Sequence, residues 1–175
     1  VRAIRRAALL HDIGKVGVSA GIWGKSGPLT EREWDKVHLH PYYAERILAR
    51  PEPLARLGAL AAAHHERLDG SGYYRRLSGA MLTPAARILA AANRYAALTE
   101  PRAHRPPASP DEAADALKGE VRAGRLDGDV VNALFAATGR PSKAYYKAGV
   151  AGLSEREIEV LRLIARGHTM KATAE

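Results

Sequence analysis

The sequence contains no cysteine among its 175 residues. Disulfides, thiolate metal ligands and thiol nucleophiles are therefore excluded, and any bound metal ion must be held by histidine and carboxylate side chains. Aromatic residues are also scarce, at 6%, whereas hydrophobic residues make up 46% of the chain. We therefore expect a core of leucine, isoleucine, valine and alanine, which suits closely packed helices.

Long apolar runs are missing as well. No run approaches the roughly 20 residues of a membrane-spanning helix. No signal peptide opens the sequence, so we expect a cytoplasmic protein with no membrane partner. The formal net charge of +8 favours anionic partners such as nucleotides or nucleic acid. Because the basic residues are spread along the chain, charge alone does not choose between these partners.

Alternating strand patterns are absent from the sequence, and helical periodicity predicts an all-α fold. Capping boxes at Thr30/Glu33 and Ser109/Glu112 predict two helix starts. Pro41 should break the helical path that follows the first of them. Residues 16–28 are predicted to form a loop. The predicted helices are residues 1–13, 30–48 with the break, 54–68, 84–98, 111–123 and 128–138.

The segment His11-Asp12-Ile13-Gly14-Lys15 sets a histidine beside a carboxylate on an otherwise apolar run. Such a pair offers one imidazole nitrogen and two carboxylate oxygens, enough for Asp12 to bridge two metal ions while His11 holds one. Lys15 would then supply a positive charge for a phosphate group. The alternative is an ordinary helix end, with Gly14 as its C-cap and a solvated His-Asp pair.

Two further histidine clusters favour the metal hypothesis. His40 and the pair His64-His65 are each predicted at or near the inner face of a helix. A single histidine is usually structural or exposed, but three such clusters are better explained by a dinuclear histidine and aspartate site. The helical pattern places His64 on the inner side, together with Leu57 and Ala61.

A glycine turn with charged and aromatic residues follows the third cluster. Its charges and its exposed glycines suit the approach of a phosphodiester, although an ordinary helix C-terminus would have the same composition. Tyr73 would either stack on a base or pack on the loop. The candidate substrate-binding residues are Lys15, Arg67, Asp69, Gly70, Gly72 and Tyr73.

Together these motifs resemble the HD-GYP domain, a subclass of HD phosphohydrolases whose characterised members hydrolyse cyclic di-GMP. The matching segments are HDIGK at 11–15, PLTEREW at 28–34, HLHP at 38–41, HHERLDGSGY at 64–73, ARILAAANRYAALT at 86–99 and LDGDVV at 126–131. The resemblance implies that Lys15 lies near the scissile phosphate and that Tyr73 belongs to a recognition element. It also implies metal ligation by His11, Asp12, His40, His64 and His65.

The chain departs from this family pattern at three points. Tyr74 stands where the family has a proline, which implies a softer loop because φ is no longer fixed. Asn93 stands where the family has a metal-ligating aspartate, so this ligand would be weak and neutral. The family also has an upstream helix with a further ligand, and we expect this chain to begin after it. The resemblance implies two or three divalent ions, with Mn or Fe preferred to Mg or Zn.

The tail of the chain resembles the start of a LuxR-type helix-turn-helix, in the segment GLSEREIEVLRLIARGHTMKATAE at 152–175. The recognition helix would lie beyond it, so specific DNA binding is expected of the longer protein and not of this chain. An ordinary amphipathic capping helix is the alternative. We predict an HD-GYP-like domain at 1–138, a linker at 139–151 and an incomplete DNA-binding domain at 152–175.

These features favour metal-dependent hydrolysis of a phosphodiester, most simply a cyclic dinucleotide, within a transcriptional regulator. Asp12 and Lys15 are the predicted catalytic residues. The alternative function is a degenerate domain that senses a nucleotide without hydrolysing it, which Asn93 and Tyr74 favour. The expected partners are a nucleotide or cyclic dinucleotide, DNA for the longer protein, and a second copy of the chain in a homodimer.

Overall fold

The computed structural model describes residues 2–101 and 106–139. In these ranges the chain forms helices and no strand, which confirms the predicted all-α fold. None of the helices found there has both the length and the hydropathy needed to cross a membrane. The α-helices are α1 (Arg2–Leu10), α2 (Ala20–Trp23), α3 (Glu31–His38), α4 (His40–Leu48), α5 (Glu52–Ala62), α6 (Pro84–Thr99), α7 (Pro110–Arg122) and α8 (Gly128–Ala137). Short 3₁₀ helices lie at Ile13–Gly17, Ala63–His65 and Gly79–Met81.

The described residues divide into two compact units, the first from Arg2 to Leu89 and the second beginning at Ala90. In the first unit, one buried cluster joins α1, α4, α5 and the start of α6. Its members are Ala7, Leu48, Ala61 and Leu89. These side chains come from four helices, so burying them holds the first unit together.

The first helix is shorter than predicted. It ends at Leu10, so His11 and Asp12 lie in a turn before the 3₁₀ helix and not on a helical stripe. Gly14 is also not a C-cap: a Cβ atom there would lie 2.0 Å from the carbonyl oxygen of His40 and 2.3 Å from the backbone nitrogen of Ala44. The absence of a side chain therefore lets the 3₁₀ helix approach the backbone of α4 directly.

The region around α3 and α4 agrees with most predictions. The Thr30 hydroxyl accepts from the Glu33 backbone at 3.3 Å, and the Glu33 carboxylate accepts from the Thr30 backbone at 2.7 Å, which confirms the capping box. The helical path breaks between α3 and α4, with Pro41 in the first turn of α4. The predicted loop 16–28 was only partly right, because it contains α2, capped by Ser19.

The helix predicted at 54–68 begins and ends earlier. It starts at Glu52, because Pro53 fits the first turn, where a backbone N–H is not needed. It ends at Ala62, and the 3₁₀ helix that follows contains His64 and His65. Glu66 is already extended, with φ of −71° and ψ of 156°. The chain therefore leaves the helical path before Leu68.

The last three helices lie close to their predicted bounds. The helical pattern of the sequence predicts that Ile88, Leu89, Ala92 and Tyr95 share the inner face of α6, and all four are buried. In the second unit, the capping box of Ser109 and Glu112 is present at the start of α7. The Arg94 side chain donates to Glu120 at 2.9 Å, which ties the end of α6 to α7. The predicted linker and DNA-binding segment lie outside the described residues and stay predictions.

Candidate metal centre

Three helix ends of the first unit bring the predicted metal ligands together. His11 and Asp12 follow α1, His40 begins α4, and His64 follows α5. The Nε2 atoms of His40 and His64 lie 3.0 Å apart. The Asp12 Oδ1 atom lies 3.7 Å from the first of these nitrogens and 3.8 Å from the second. The Oδ2 atom of Asp12 lies 3.4 Å from Nε2 of His11.

The rings of His11, His40 and His64 are each oriented by a carbonyl group at the end of the preceding helix. Each ring has its Nδ1 atom at hydrogen-bond distance from the backbone carbonyl three residues earlier. The acceptors are the oxygens of Ala8, Val37 and Ala61, at 2.7, 2.6 and 2.6 Å. A carbonyl oxygen only accepts, so Nδ1 must carry the proton in all three rings. Each Nε2 atom therefore keeps a lone pair for a ligand.

The close approach of His40 to His64 places two such lone pairs 3.0 Å apart. Two acceptors at this distance repel unless a cation satisfies them. Burial, followed by the charge of His11, lowers the pKa of His64 to about 3. Burial also lowers the pKa of His40 and that of His65. At neutral pH these rings are therefore neutral, which is the state that binds a metal, so the donor set fits a divalent ion better than a shared proton.

The donors form two overlapping groups, and within each group the ligand atoms lie within 4.8 Å of one another. One group contains His40, His64 and His65, and the other contains His11, Asp12 and His64. His64 is thus common to both groups. Each group could hold a metal ion, and Asp12 has one oxygen near His40 and the other near His11.

Lys15 lies at the edge of this cluster. Its ammonium is 2.5 Å from Asp12 Oδ2. Burial of Asp12 raises the pKa of its carboxyl, but His11 and Lys15 lower it more, so the pKa is below its usual value and the group is ionised at neutral pH. The Lys15 ammonium also lies 5.4 Å from the ring centre of Trp23. Trp23 was not predicted as a site residue, because the sequence shows it only as an aromatic residue in a glycine-rich segment.

The segment 66–78, here called the glycine loop, carries most of the predicted substrate-binding residues. Gly72 is buried and was wrongly predicted to lie in an exposed turn. A Cβ atom on Gly72 would lie 2.5 Å from backbone atoms of His65, Glu66 and Arg67. Gly72 therefore allows the loop to fold back on the chain beside His65. Gly70 has φ of +79°, the left-handed backbone that glycine adopts most easily.

Arg67 and Asp69 make hydrogen bonds within the glycine loop. Asp69 accepts hydrogen bonds from the backbone and from the hydroxyl of Ser71, at 2.9 and 2.7 Å. Arg67 donates to the carbonyl oxygen of Glu66 at 3.0 Å. These contacts shape the loop, and the proposed contacts of Arg67 and Asp69 with substrate stay predictions.

Tyr73 packs against two histidine rings. Its ring stacks on His65, with centroids 4.5 Å apart, and on His38, with centroids 4.1 Å apart. Packing on protein rings is thus observed, whereas stacking on a base stays a prediction. The contact with His65 places Tyr73 beside the donor groups.

Glu66 has a structural role in the glycine loop that was not predicted from the sequence. Its side chain is buried, with 1% of the residue exposed. One carboxylate oxygen accepts from the backbone N–H of Arg75 and the other from that of Leu77, each at 2.8 Å. Glu66 therefore fixes the end of the glycine loop next to His65. In the sequence it could be recognised only as one charge of the turn.

Asn93 lies on α6, in the second unit, and is half-buried. It takes part in interactions of its own. Its predicted role as a weak metal ligand stays a prediction.

Comparison with known proteins gives relatives with named activities. The chain is 47% identical over 102 residues to the 3'3'-cGAMP-specific phosphodiesterase 3 of Vibrio cholerae serotype O1, which covers 58% of this chain and 22% of that protein. It is 35% identical over 150 residues to the 3'3'-cGAMP-specific phosphodiesterase 1 of the same organism, and this alignment covers 86% of this chain and 34% of that protein. It is 40% identical over 115 residues to the cyclic di-GMP phosphodiesterase of Thermotoga maritima, and this alignment covers 65% of this chain and 31% of that protein.

The aligned region is thus between 22% and 34% of the length of these three relatives. The profile of the HD domain family matches residues 1–130, which include every donor of the two groups. HD domains bind divalent metal ions, in agreement with the donor chemistry described above. The chain therefore belongs to the HD domain family.

Proposed function

We propose that this protein is a metal-dependent phosphodiesterase of the HD-GYP subclass that hydrolyses a cyclic dinucleotide such as cyclic di-GMP or 3'3'-cGAMP. The observation that carries the proposal is the convergence of Nε2 lone pairs and an ionised carboxylate in one small volume. The named activities of the relatives support the substrate class. A cyclic dinucleotide is an anion, which suits the positive net charge.

The proposed metal ligands are the members of the two donor groups, with Asn93 as a weaker addition. They are His11, Asp12, His40, His64 and His65. Imidazole and carboxylate donors favour Mn or Fe over Mg, and we propose two such ions, or three if an upstream ligand contributes. When bound, divalent ions supply an activated water and neutralise charge on the phosphate.

The protein groups have separate roles in this proposal. The backbone carbonyls hold His11, His40 and His64 with Nε2 facing inward, so the rings need not reorient when substrate arrives. The ammonium of Lys15, held at 2.5 Å by Asp12, supplies a positive charge for the non-bridging phosphate oxygens. Tyr73, Arg67, Asp69 and Gly70 form the recognition surface, while buried Gly72 shapes it.

The test is turnover by the intact protein, purified without chelator and supplied with Mn²⁺. Cyclic di-GMP and 3'3'-cGAMP are followed by chromatography for Asp12→Asn and for Asp115→Asn, a control on the exposed side of α7. We expect a linear dinucleotide product, a rate at least about 100-fold lower for Asp12→Asn, and an unchanged rate for the control. Metal-loaded protein that releases no product would contradict the proposal.

The second candidate function is nucleotide sensing without turnover, favoured by Asn93 and Tyr74 at positions where the resemblance places aspartate and proline. Binding of a cyclic dinucleotide by metal-loaded protein that does not cleave it would support this function. Asn93→Asp separates the two further. If position 93 faces the metals, the added carboxylate should raise metal occupancy, measured by elemental analysis, together with the hydrolysis rate. Unchanged metal occupancy and an unchanged hydrolysis rate would show that position 93 is not a metal ligand.

We also propose that the phosphodiesterase domain controls a LuxR-type DNA-binding domain in a cytoplasmic transcriptional regulator that acts as a homodimer. The support is the sequence of residues 152–175, which opens with the pattern of a capping box at Ser154 and Glu157 and of a hydrophobic staple between Leu153 and Ile158. Fluorescence anisotropy at two salt concentrations tests the DNA part. Residues 1–175 should bind DNA only weakly and without sequence selectivity, because basic residues spread along the chain neutralise phosphates without reading bases.

A further inference from the structure

The glycine loop is closed by backbone bonds that join its first residues to its last ones. The backbone of Tyr73 donates to the carbonyl of His65 at 3.2 Å, and Gly79 donates to Leu68 at 2.8 Å. An isolated antiparallel bridge joins Asp69 to Ser78. These bonds close the loop but do not set its position relative to the helix that carries His40.

A different set of bonds connects the loop to α4. The Tyr74 hydroxyl donates to Oε2 of Glu45. The Arg75 guanidinium donates to Oε1 of Glu45 at 2.6 Å and to the Tyr74 hydroxyl at 2.9 Å. Glu45, Tyr74 and Arg75 thus form a closed triangle, here called the Glu45 clamp. Glu45 lies on the same helix as His40, five positions further along.

We propose that the Glu45 clamp positions Tyr73 beside the metal centre and thereby sets the affinity for substrate. The proposal rests on the proposed function, because it assigns Glu45, Tyr74 and Arg75 a positioning role for the same reaction. Tyr73 directly precedes Tyr74, so a displacement of Tyr74 is transmitted to the Tyr73 ring through one peptide unit. That ring in turn stacks on His65.

The bonds of the clamp involve charged groups and are partly shielded from water. Hydrogen bonds to charged groups are stronger than those between neutral groups, and shielding from water strengthens them further. The Glu45 side chain is 19% exposed, whereas that of Arg75 is 46% exposed, so the bond to Tyr74 is the better shielded of the two. Burial and the bond to Glu45 raise the pKa of Tyr74, which keeps its hydroxyl protonated as a donor at neutral pH.

The clamp also explains how the loop keeps its position without the proline that the resemblance places at position 74. Proline would restrict the loop through its own φ. Here the Tyr74 ring is fixed from outside, by Glu45 at its hydroxyl and by Tyr42, whose ring centroid lies 5.5 Å away at an interplanar angle of 71°. The loop was predicted to be less rigid than in the family, because φ is not fixed by proline. The clamp restrains it instead through side-chain bonds to α4.

The experiment compares Tyr74→Phe, Glu45→Gln and the double variant in the intact, metal-loaded protein. Both single variants weaken the bond between Tyr74 and Glu45, and each also alters one bond to Arg75. We expect each to raise KM for the cyclic dinucleotide about fivefold, with kcat within about twofold, and the double variant to raise KM by less than the product of the single effects, because both weaken the same bond. Metal content should not change. Tyr42→Phe keeps the ring that contacts Tyr74 and removes only a hydroxyl that is no member of the clamp, so it should keep the original KM.

Amide hydrogen exchange provides a second readout that does not depend on turnover. We expect faster exchange at residues 72–77 in both single variants, with unchanged exchange in α5. Unchanged KM in both variants overturns the proposal, whatever the exchange shows. An equal loss of kcat, metal and thermal stability also overturns it, because the clamp would then be merely structural.

The failure of the proposed function would look different. Wild-type protein would bind the dinucleotide without hydrolysing it, and the clamp would then be judged by the dissociation constant in place of KM. A wild-type protein that neither binds nor hydrolyses the dinucleotide overturns both proposals. If Glu45→Gln does not fold, Tyr74→Phe still removes a single hydroxyl and decides the matter.

Discussion

The metal centre and the glycine loop lie side by side but are held in place by different kinds of bonds. The rings of His11, His40 and His64 are each fixed by a carbonyl three residues earlier. The loop is fixed by carboxylates of residues far from the groups they bind: Glu66 accepts from amides nine and eleven residues later. Glu45 binds Tyr74, 29 residues away.

The metal centre and the glycine loop are therefore expected to respond differently to substitutions. Local bonds orient the ligand rings before any metal arrives, so the centre depends mainly on the helix ends meeting. Distant bonds position the loop, so changes there should alter substrate affinity and stability while leaving the metal in place. The four predictions below test this separation.

The largest expected effect is on metal content. His64→Ala removes the one residue common to both donor groups, and we expect bound metal to fall at least about tenfold. His38→Ala is the matched control, because His38 contacts Tyr73 but belongs to neither donor group. Elemental analysis of protein purified without chelator measures both. Equal loss in the two variants would show that the loop and the centre are not separable.

Gly14→Ala should cause the largest loss of stability. Its Cβ would lie 2.0 Å from the His40 carbonyl oxygen, which belongs to rigid backbone, so the 3₁₀ helix must move away from α4. We expect a loss of about 3 kcal/mol in the free energy of unfolding, measured in denaturant.

Gly119→Ala is the control for this prediction. It lies inside α7, where an added Cβ meets no atom within 4 Å, and alanine should stabilise the helix by about 0.5–1 kcal/mol. Similar effects at the two glycines would contradict the close approach described at Gly14.

Glu66→Gln should have an intermediate effect. The amide that replaces the carboxylate has one acceptor oxygen for two backbone N–H groups, and its NH₂ group would face the second of them. We expect a loss of about 1–3 kcal/mol in denaturant unfolding, because the site is buried, with metal content unchanged. The exposed capping carboxylate offers a comparison: Glu112→Gln should lose less. Loss of metal from Glu66→Gln would contradict the separation of loop and centre.

Arg76→Gly should have the smallest effect on stability, and it should stabilise the protein where the other glycine-loop variant destabilises it. Arg76 has φ of +55° and lies between the two residues whose amides Glu66 binds. Relief of the left-handed strain outweighs the added freedom of the unfolded chain, so we expect a gain of about 0.5–1 kcal/mol in thermal unfolding. Gly79→Ala, at φ of +51°, should destabilise. A loss of stability in Arg76→Gly would mean that the arginine side chain itself holds the loop.

Most of the fold could be predicted because its signals act over three or four residues. The capping boxes at Thr30 and Ser109 and the break at Pro41 were predicted and are present. The ends of α1 and α5 were placed too late. Apolar periodicity continued past both ends, whereas the chain turns there to bring His11 and His64 together, and contacts from distant segments set that turn.

The donor chemistry follows from the residues alone: histidine and aspartate in three clusters, no thiol, and a lysine beside the first cluster. The helix starts follow from the residues too, because caps and prolines act within one turn. The 3.0 Å distance between the Nε2 atoms of His40 and His64, 24 residues apart, depends on how the helices pack. The burial of Glu66 and the bond between Glu45 and Tyr74 have the same origin, because each involves segments that meet only when the helices pack.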